Sequence, residues 1–440
     1  MVLLLLDLGF FWVYKLVMCS LFDHNKKNVF TEFNKAPSTI MHIDINSAFA
    51  TIEQQTNPRL RGRPMAVAAY NSPRGVILAP SIEAKRFGIK TGMRVFEGRA
   101  LCPELCVLPP DPEKYRQVHL QLRDTLSAYT DNLRPKSIDE FVLDMRHIVP
   151  SMDIQKVAAE IKTKIREEVG EWISVSIGIG PSRFIAKVAA GMEKPDGLVE
   201  INYKNFRKQY RKLSLLDLHG INFRNELKLR QVGIHSTVQF YESPLWRLKA
   251  AFKSANAHSW YRRIRGWEVD NTEFARRSYG NSYALPRAYS EVRCLAPILA
   301  KLVNKTSSRL RAAGYSARGV HLSVDYEEGE SWHKGRKTKG QLFDTREIYK
   351  RAFGLLLESP RKPVRRLAVS VFGLHKGNGL QLGIFSDEAK QQSVMRALDK
   401  INTRWGGYTA VTANMLKAKS MVPDRIAFGG VKELEELIPK

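Results

Sequence analysis

Cysteine is scarce in this chain, and its scarcity narrows the chemistry available. Four thiols, Cys19, Cys102, Cys106 and Cys294, are spread over 440 residues. So few, so far apart, do not make a disulfide framework. Cys102 and Cys106 have no matching Cys or His pair nearby, so a zinc site is not expected. Free thiols in a reducing, cytoplasmic compartment fit this usage. Acidic side chains are scarce as well, but only in one region. Residues 1–201 carry 26 basic and 23 acidic side chains, whereas 202–280 carry 16 against 6 and 281–380 carry 19 against 8. Residues 202–380 therefore hold +21 of the net +26. A near-neutral first half joined to a basic second half suggests chemistry in one part and polyanion binding in the other, with nucleic acid favoured over anionic membrane.

The long apolar run is N-terminal. Residues 1–22 have the length of a bilayer span, but Asp7 and Lys15 interrupt them and no basic segment precedes them, so a secretory signal does not fit. Three explanations stand open: a membrane anchor, a mobile extension, or an upstream start codon with Met41 as the functional start. Met41 stands directly before an acid-bearing strand, which favours the last.

What is present is an unusual set of acids. Ser137-Ile138-Asp139-Glu140 runs into the apolar Phe141-Val142-Leu143, and Met41-His42-Ile43-Asp44-Ile45-Asn46 has similar flanks. Adjacent carboxylates resist joint ionisation, and a bound cation removes the penalty. Taken alone, Asp139-Glu140 reads as a solvated turn. With Asp44 on a second strand, three acids offer the hard oxygen ligands that a pair of divalent ions needs for phosphoryl transfer.

Periodicity places strands at 41–46, 64–68, 75–79, 137–143 and 173–179, with helices at 47–55, 81–87, 115–129 and 154–169. The β–α–β–β–α–β order over 41–201 suggests a ferredoxin-like sheet with a small subdomain inserted at about 48–110. From Leu215 the pattern turns to short helices. Leu218-His219-Gly220-Ile221-Asn222 leads into Phe223–Val232, a glycine-bearing hairpin suited to holding a phosphate through Gly220, Asn222 and Arg224. Further strands at 320–326 and 364–372, with helices at 291–313 and 344–357, make a second α+β module. Between them, Trp332–Lys339 reads as a basic loop whose Lys334, Arg336, Lys337 and Lys339 would contact phosphates.

Together these segments resemble the Y-family (lesion-bypass, DNA polymerase IV/V-like) DNA polymerases over roughly residues 41–405. The resemblance rests on His42–Ala50, on Arg74–Ile77 with Glu83–Met93, on Ser137–Glu140, and on Ser176–Gly180 with Lys187 and Glu193–Gly197, all in order. It implies a multidomain α/β (α+β) right hand: an extension at 1–40, a ferredoxin-like palm at 41–47 and 111–201, fingers at 48–110, and a helical thumb with a helix-hairpin-helix at 202–272. A linker and α+β little finger follow at 273–380, then a tail at 381–440. By motif position, Asp44, Asp139 and Glu140, with the Ile45 carbonyl, would hold two Mg²⁺ ions. Phe49 would be the steric gate that selects deoxynucleotides, and Lys85 and Lys194 would bind the triphosphate. Primer–template DNA and deoxynucleoside triphosphates are the implied partners.

The chain departs from the family pattern in several places. Ile82 and Lys85 replace the usual Tyr and Arg at the triphosphate, exchanging a forked donor for a point charge. Ala48 replaces an aromatic beside the gate, and Gly191 an acid. Beyond the last module, Gln381-Leu382-Gly383-Ile384-Phe385 resembles a bacterial sliding-clamp-binding peptide, with a plain edge strand as the alternative. The implied activity is low-fidelity, template-directed translesion synthesis in DNA repair. A non-catalytic adaptor should have lost the acids, and a two-metal nuclease or cyclase needs no duplex grip.

Overall fold

The computed structural model describes residues 31–147, 153–272, 275–377, 388–411 and 415. Contacts divide the chain into two units. One contains the described chain to Ala68 and from Ile77 to Thr272; the other contains Ala69–Val76 and the described chain after residue 274.

The first unit is built on a five-stranded sheet. Its strands, with the three of a smaller sheet interleaved in sequence, are β1 (Ile40–Ile45), β2 (Met65–Ala68), β3 (Ile77–Pro80), β4 (Cys106–Leu108), β5 (Leu133–Pro135), β6 (Glu140–Asp144), β7 (Val175–Gly180) and β8 (Leu198–Glu200). The large sheet has the order β5-β6-β1-β7-β8, and the small one β3-β2-β4. β1 is central and antiparallel to both neighbours. Its apolar residues Met41, Ile43 and Ile45 are all buried, as expected of a strand covered on both faces. Helices start where side chains can cap them. Asp111 accepts from the Glu113 and Lys114 amides to open Pro112–Ser127, and Asp153 accepts from Gln155 to open Ile154–Glu168. Ser182 does the same for Arg183–Met192 through the Ile185 amide.

Residues 206–263 form short helices around a core that includes Tyr210, Phe240 and Trp260. Part of the N-terminal segment belongs to this core. Phe33 is 4% exposed and stacks on Phe206 with ring centroids 4.2 Å apart. The Asn34 amide donates to the Arg265 carbonyl at 2.8 Å, and Trp267 Nε1 donates to the Glu32 carbonyl at 3.1 Å. Arg265 is buried and has no carboxylate partner among the described residues. Its guanidinium donates to the carbonyls of Thr31, Tyr241, Ser243 and Tyr261 and lies 3.7 Å from the Tyr261 ring centroid. Of the three explanations for the N-terminal segment, a mobile extension does not describe residues 31–39, and the favoured start at Met41 would remove an aromatic plug and leave buried donors without acceptors. Residues 1–22 lie outside the described residues. No helix among the described residues is long and apolar enough to cross a membrane.

The second unit contains β9 (Ser278–Tyr289), β10 (Tyr315–Tyr326), β11 (Ser331–Leu342), β12 (Val364–Phe372) and β13 (His375–Lys376). Its main sheet has the order β11-β10-β12-β9. Helices Val292–Ala312 and Thr345–Glu358 pack on it, and Val320, Leu322, Val324 and Tyr326 alternate into their shared core. The expected basic loop at Trp332–Lys339 is instead part of β11, paired to β10 from Ser331 through Lys337. An edge strand rich in lysine carries no apolar alternation to betray it, and such charge discourages edge-to-edge association. A helix at Glu388–Trp405, absent from the sequence-based expectation, follows the sheet. Cys102, Cys106 and Cys294 are free thiols.

Deleting residues 1–40, or making Phe33→Ala, should destabilise the first unit by about 3–5 kcal/mol, the usual cost of removing a buried aromatic. Thermal and urea unfolding test this; a chain begun at Met41 that unfolds like the full-length protein would refute it.

Candidate active site

Strand register decides which acids meet. Asp44 of β1 lies directly opposite Glu140 of β6, and His42 opposite Val142. Side chains alternate along a strand, so His42, Asp44 and Glu140 share one face. Each offers a ligand atom within 4.8 Å of the other two. Asp139, one residue outside β6, sits across from Ile45, whose amide donates to the Asp139 carbonyl at 3.0 Å. Its carboxylate accepts from Ser137 Oγ at 2.6 Å. β1 is stopped sharply. Buried Asn46 donates to Ser174 Oγ at 3.2 Å and accepts from Ser176 Oγ at 2.9 Å, and Ser47 turns the chain through a left-handed φ of 53° into helix Ala48–Thr56. Asp44 is thereby held at the strand's end with little freedom.

The Arg183–Met192 helix covers this face, and Gly178 lets it. A Cβ at 178 would stand 2.0 Å from the Ala186 carbonyl oxygen and 2.1 Å from the Ala190 nitrogen. With the helix seated, Lys187 Nζ reaches Glu140 Oε2 at 2.6 Å. Lys194, just past the helix, reaches Asp44 Oδ1 at 2.5 Å.

The electrostatics follow from burial and these lysines. Burial, reinforced by the Glu140 and Asp139 charges, pushes Asp44 up to about 6 despite Lys194. Burial also raises Asp139, against the Ser137 hydrogen bond. Burial is also the largest single influence on Glu140 and works to raise it, but the Lys187 hydrogen bond and the positive groups around it together leave it below its ordinary value. Burial drops His42 to about 3, so the imidazole is neutral at pH 7. Its Nε2 lies 3.7 Å from Glu140 Oε2 and has no hydrogen-bond partner among the described residues. Lys85 is held below its ordinary value by lost hydration and then by the Lys194 charge, against the pull of Asp44.

Other sequence-based candidates fall in varied places. Phe49 is 1% exposed and stacks on Tyr115 at 4.3 Å, and the Tyr115 hydroxyl donates to Glu53 at 2.9 Å. Gly220 has a φ of 92°, as the hairpin requires, and Asn222 caps Phe223–Gln231 through the Asn225 amide. Arg224 is exposed in that helix's first turn. The preceding segment, Leu215–Asp217, is a single 3-10 turn where a helix was expected. Lys334 and Arg336 both pair with Glu358, at 2.9 and 2.6 Å, while Lys337 and Lys339 are exposed. Gln381, Leu382, Ile384 and Phe385 lie outside the described residues. Roles for His42 and Lys187 were not anticipated. The signal for His42 was its place two residues before Asp44 on one strand.

Carboxylate oxygens gathered at a strand end suit a hard divalent cation, and burial, with the neighbouring acids, keeps Asp44 raised despite Lys194. Residues 43–191 match the model of the impB/mucB/samB family, and residues 276–384 match that family's C-terminal domain. The chain is 35% identical over 381 residues to DNA polymerase IV of Moorella thermoacetica, covering 84% of this chain and 94% of that one. It is 31% identical over 395 residues to DNA polymerase IV of Pelotomaculum thermopropionicum, covering 88% and 97%. Among solved structures, the Y-family DNA polymerase chimera Dbh-Dpo4(243-245)-Dbh has a TM-score of 0.68 at 23% identity, over 77% of this chain and 99% of that one. An insertion ternary complex of Dbh DNA polymerase has a TM-score of 0.54 at 23% identity, with the same coverage. These two likenesses concern the fold.

The Asp44 shift has a consequence for stability. Its folded pKa of about 6 exceeds the ordinary 3.8, so the folded state binds the proton more tightly. The stabilisation from protonation is complete below about pH 4 and is lost as pH rises through 6. Without divalent metal, Asp44→Asn should therefore raise stability at pH 8 by on the order of 1–3 kcal/mol, and the gain should vanish toward pH 4. Denaturant unfolding across pH measures this, and a pH-independent difference would contradict it.

Proposed function

Because the chain belongs to the impB/mucB/samB family of Y-family DNA polymerases, we propose that nucleotidyl transfer takes place at the strand-end carboxylates of β1 and β6. It is a DNA-directed DNA polymerase of the low-fidelity, translesion class. The observation that carries the site assignment is the cross-strand register of Asp44 with Glu140, with Lys194 and Lys187 on the same two carboxylates.

Asp44, Asp139, Glu140 and the Ile45 carbonyl would hold two Mg²⁺ ions, since the donors are hard oxygens on neighbouring strand ends. When bound, the ions supply a lowered pKa at the primer 3′-hydroxyl and neutralise charge on the triphosphate and departing pyrophosphate. The protein's own groups do the rest. Lys194 and Lys85, which share the field of Asp44, would bind triphosphate oxygens. Lys187 keeps Glu140 ionised. Phe49, held against Tyr115, would be the gate that excludes a 2′-hydroxyl. Gly220, Asn222 and Arg224 would grip the DNA backbone from the hairpin. On the second unit, Lys337 and Lys339 would contact phosphates more readily than Lys334 and Arg336, which pair with Glu358. The free thiols accord with a cytoplasmic location.

Primer extension with Mg²⁺ on intact and lesion-bearing templates tests the assignment. Asp139→Ala should lower incorporation at least about 100-fold, in the range seen when electrostatic groups are removed from active sites. Absence of templated incorporation by the wild type would sink the proposal. In the same assay Phe49→Ala should admit ribonucleotides, with Phe49→Leu controlling for lost packing; unchanged sugar selectivity in both would remove Phe49 from the gate.

The peptide Gln381, Leu382, Ile384 and Phe385 would dock on a sliding clamp by filling apolar clefts. Deleting 381–385 should weaken clamp binding and leave basal extension intact, and equal clamp affinity after deletion would rule the peptide out.

A further inference from the structure

The second unit contains a cavity of about 920 Å³ between helix Val292–Ala312 and the C-terminal helix Glu388–Trp405. That later helix lies beyond residue 384, where the family match ends. It is firmly attached. Arg311 donates to both oxygens of Asp399, at 2.6 and 2.8 Å, and its Nη1 donates to the Phe343 carbonyl and Thr345 Oγ1. Lys301 lies 4.8 Å from the Tyr408 ring centroid, and Met395 is 4% exposed.

The charge around this cavity is one-sided. Seven lysines and arginines line it, against a single acid, Asp399, which Arg311 already occupies. Several basic side chains elsewhere on the same unit pair with acids, such as Arg366 with Asp325, Lys362 with Glu330, and Arg351 with Glu347. Here Arg346, Arg396, Lys400 and Arg404 line one concave space. Bringing like charges together in a partly enclosed cleft is unfavourable, and a multivalent anion reverses the sign of that interaction. The volume is that of a small-molecule site. Tyr315, Phe343 and Tyr408 add ring surface to the wall, which suits a base or sugar.

We propose that this cavity binds a polyphosphate chain, as carried by a nucleoside triphosphate, with the phosphates on Arg346, Arg396, Lys400 and Arg404. The bound anion would tie the C-terminal helix to the sheet-packed helices. This site is separate from the one that holds the incoming deoxynucleotide.

The test is equilibrium titration of full-length protein in EDTA with a fluorescent ATP analogue, and by competition with ATP and inorganic tripolyphosphate. A Lys85→Ala/Lys194→Ala background removes both lysines that the polymerase site would offer a triphosphate. Saturable one-to-one binding is expected, at least about tenfold weaker in Arg396→Glu/Lys400→Glu and within about twofold of wild type in Lys390→Glu, which alters the same helix outside the cavity. Both reversed positions are exposed, so unchanged thermal melting will show that the fold is kept. Competition by ATP well ahead of tripolyphosphate supports a nucleotide with base contacts, and equal competition supports the chain alone. The proposal is overturned if neither anion competes, if the double variant binds like wild type, or if a short single-stranded oligonucleotide displaces the analogue more effectively than ATP does.

Discussion

Everything at the catalytic end of this protein depends on holding two carboxylates that repel. Asp44 and Glu140 are register partners on neighbouring antiparallel strands, so their side chains emerge on one face with no freedom to diverge. Burial raises the free energy of both anions, and each raises the other's. The protein answers with two lysines from one direction. Both arrive on the segment that begins with helix Arg183–Met192, and that helix can lie close only because position 178 has no side chain. One missing Cβ thus sets where two positive charges stand. The compensation is incomplete at Asp44, where burial and the neighbouring acids keep the carboxyl raised despite Lys194.

The remainder of the first unit keeps this constellation rigid. The Asn46–Ser174–Ser176 hydrogen bonds fasten the end of β1 to its neighbouring strand, and Phe49 begins the next helix already stacked on Tyr115. From the other end of β1, residues 31–39 run back to the helical core around Phe206 and Trp260. Phe33 and the buried Arg265 lock that connection, so the strand bearing Asp44 is fastened on both sides. A buried arginine served only by carbonyls, with tyrosine rings against it, is a stable way to bind an irregular segment, since the guanidinium satisfies several acceptors at once.

Much of this was legible from residue order. Short apolar strands bounded by turns, such as β1 and β7, and long amphipathic helices, such as Ile154–Glu168, declare themselves because one face must be buried. Asp44, Asp139 and Glu140 were legible as a set for the same reason: charge inside an apolar run needs a cause. β11 was not legible. Its pairing is made by backbone groups, while its side chains, Lys334 through Lys339, sit at an edge where charge is tolerated and periodicity is lost. The segment at 31–39 was misjudged because it owes its order to partners more than 200 residues away.

The amino-acid sequence by itself determined the family, the acids and the split between a near-neutral half and a basic one, because composition and local spacing are properties of the chain alone. Tertiary structure decided which acid faces which, that Lys187 and Lys194 are their partners, that Lys334 and Arg336 serve Glu358, and that Arg311 holds the C-terminal helix around a basic cavity. Those are distances between residues remote in sequence. They follow from strand register and from how closely helices can approach, which only the folded packing determines.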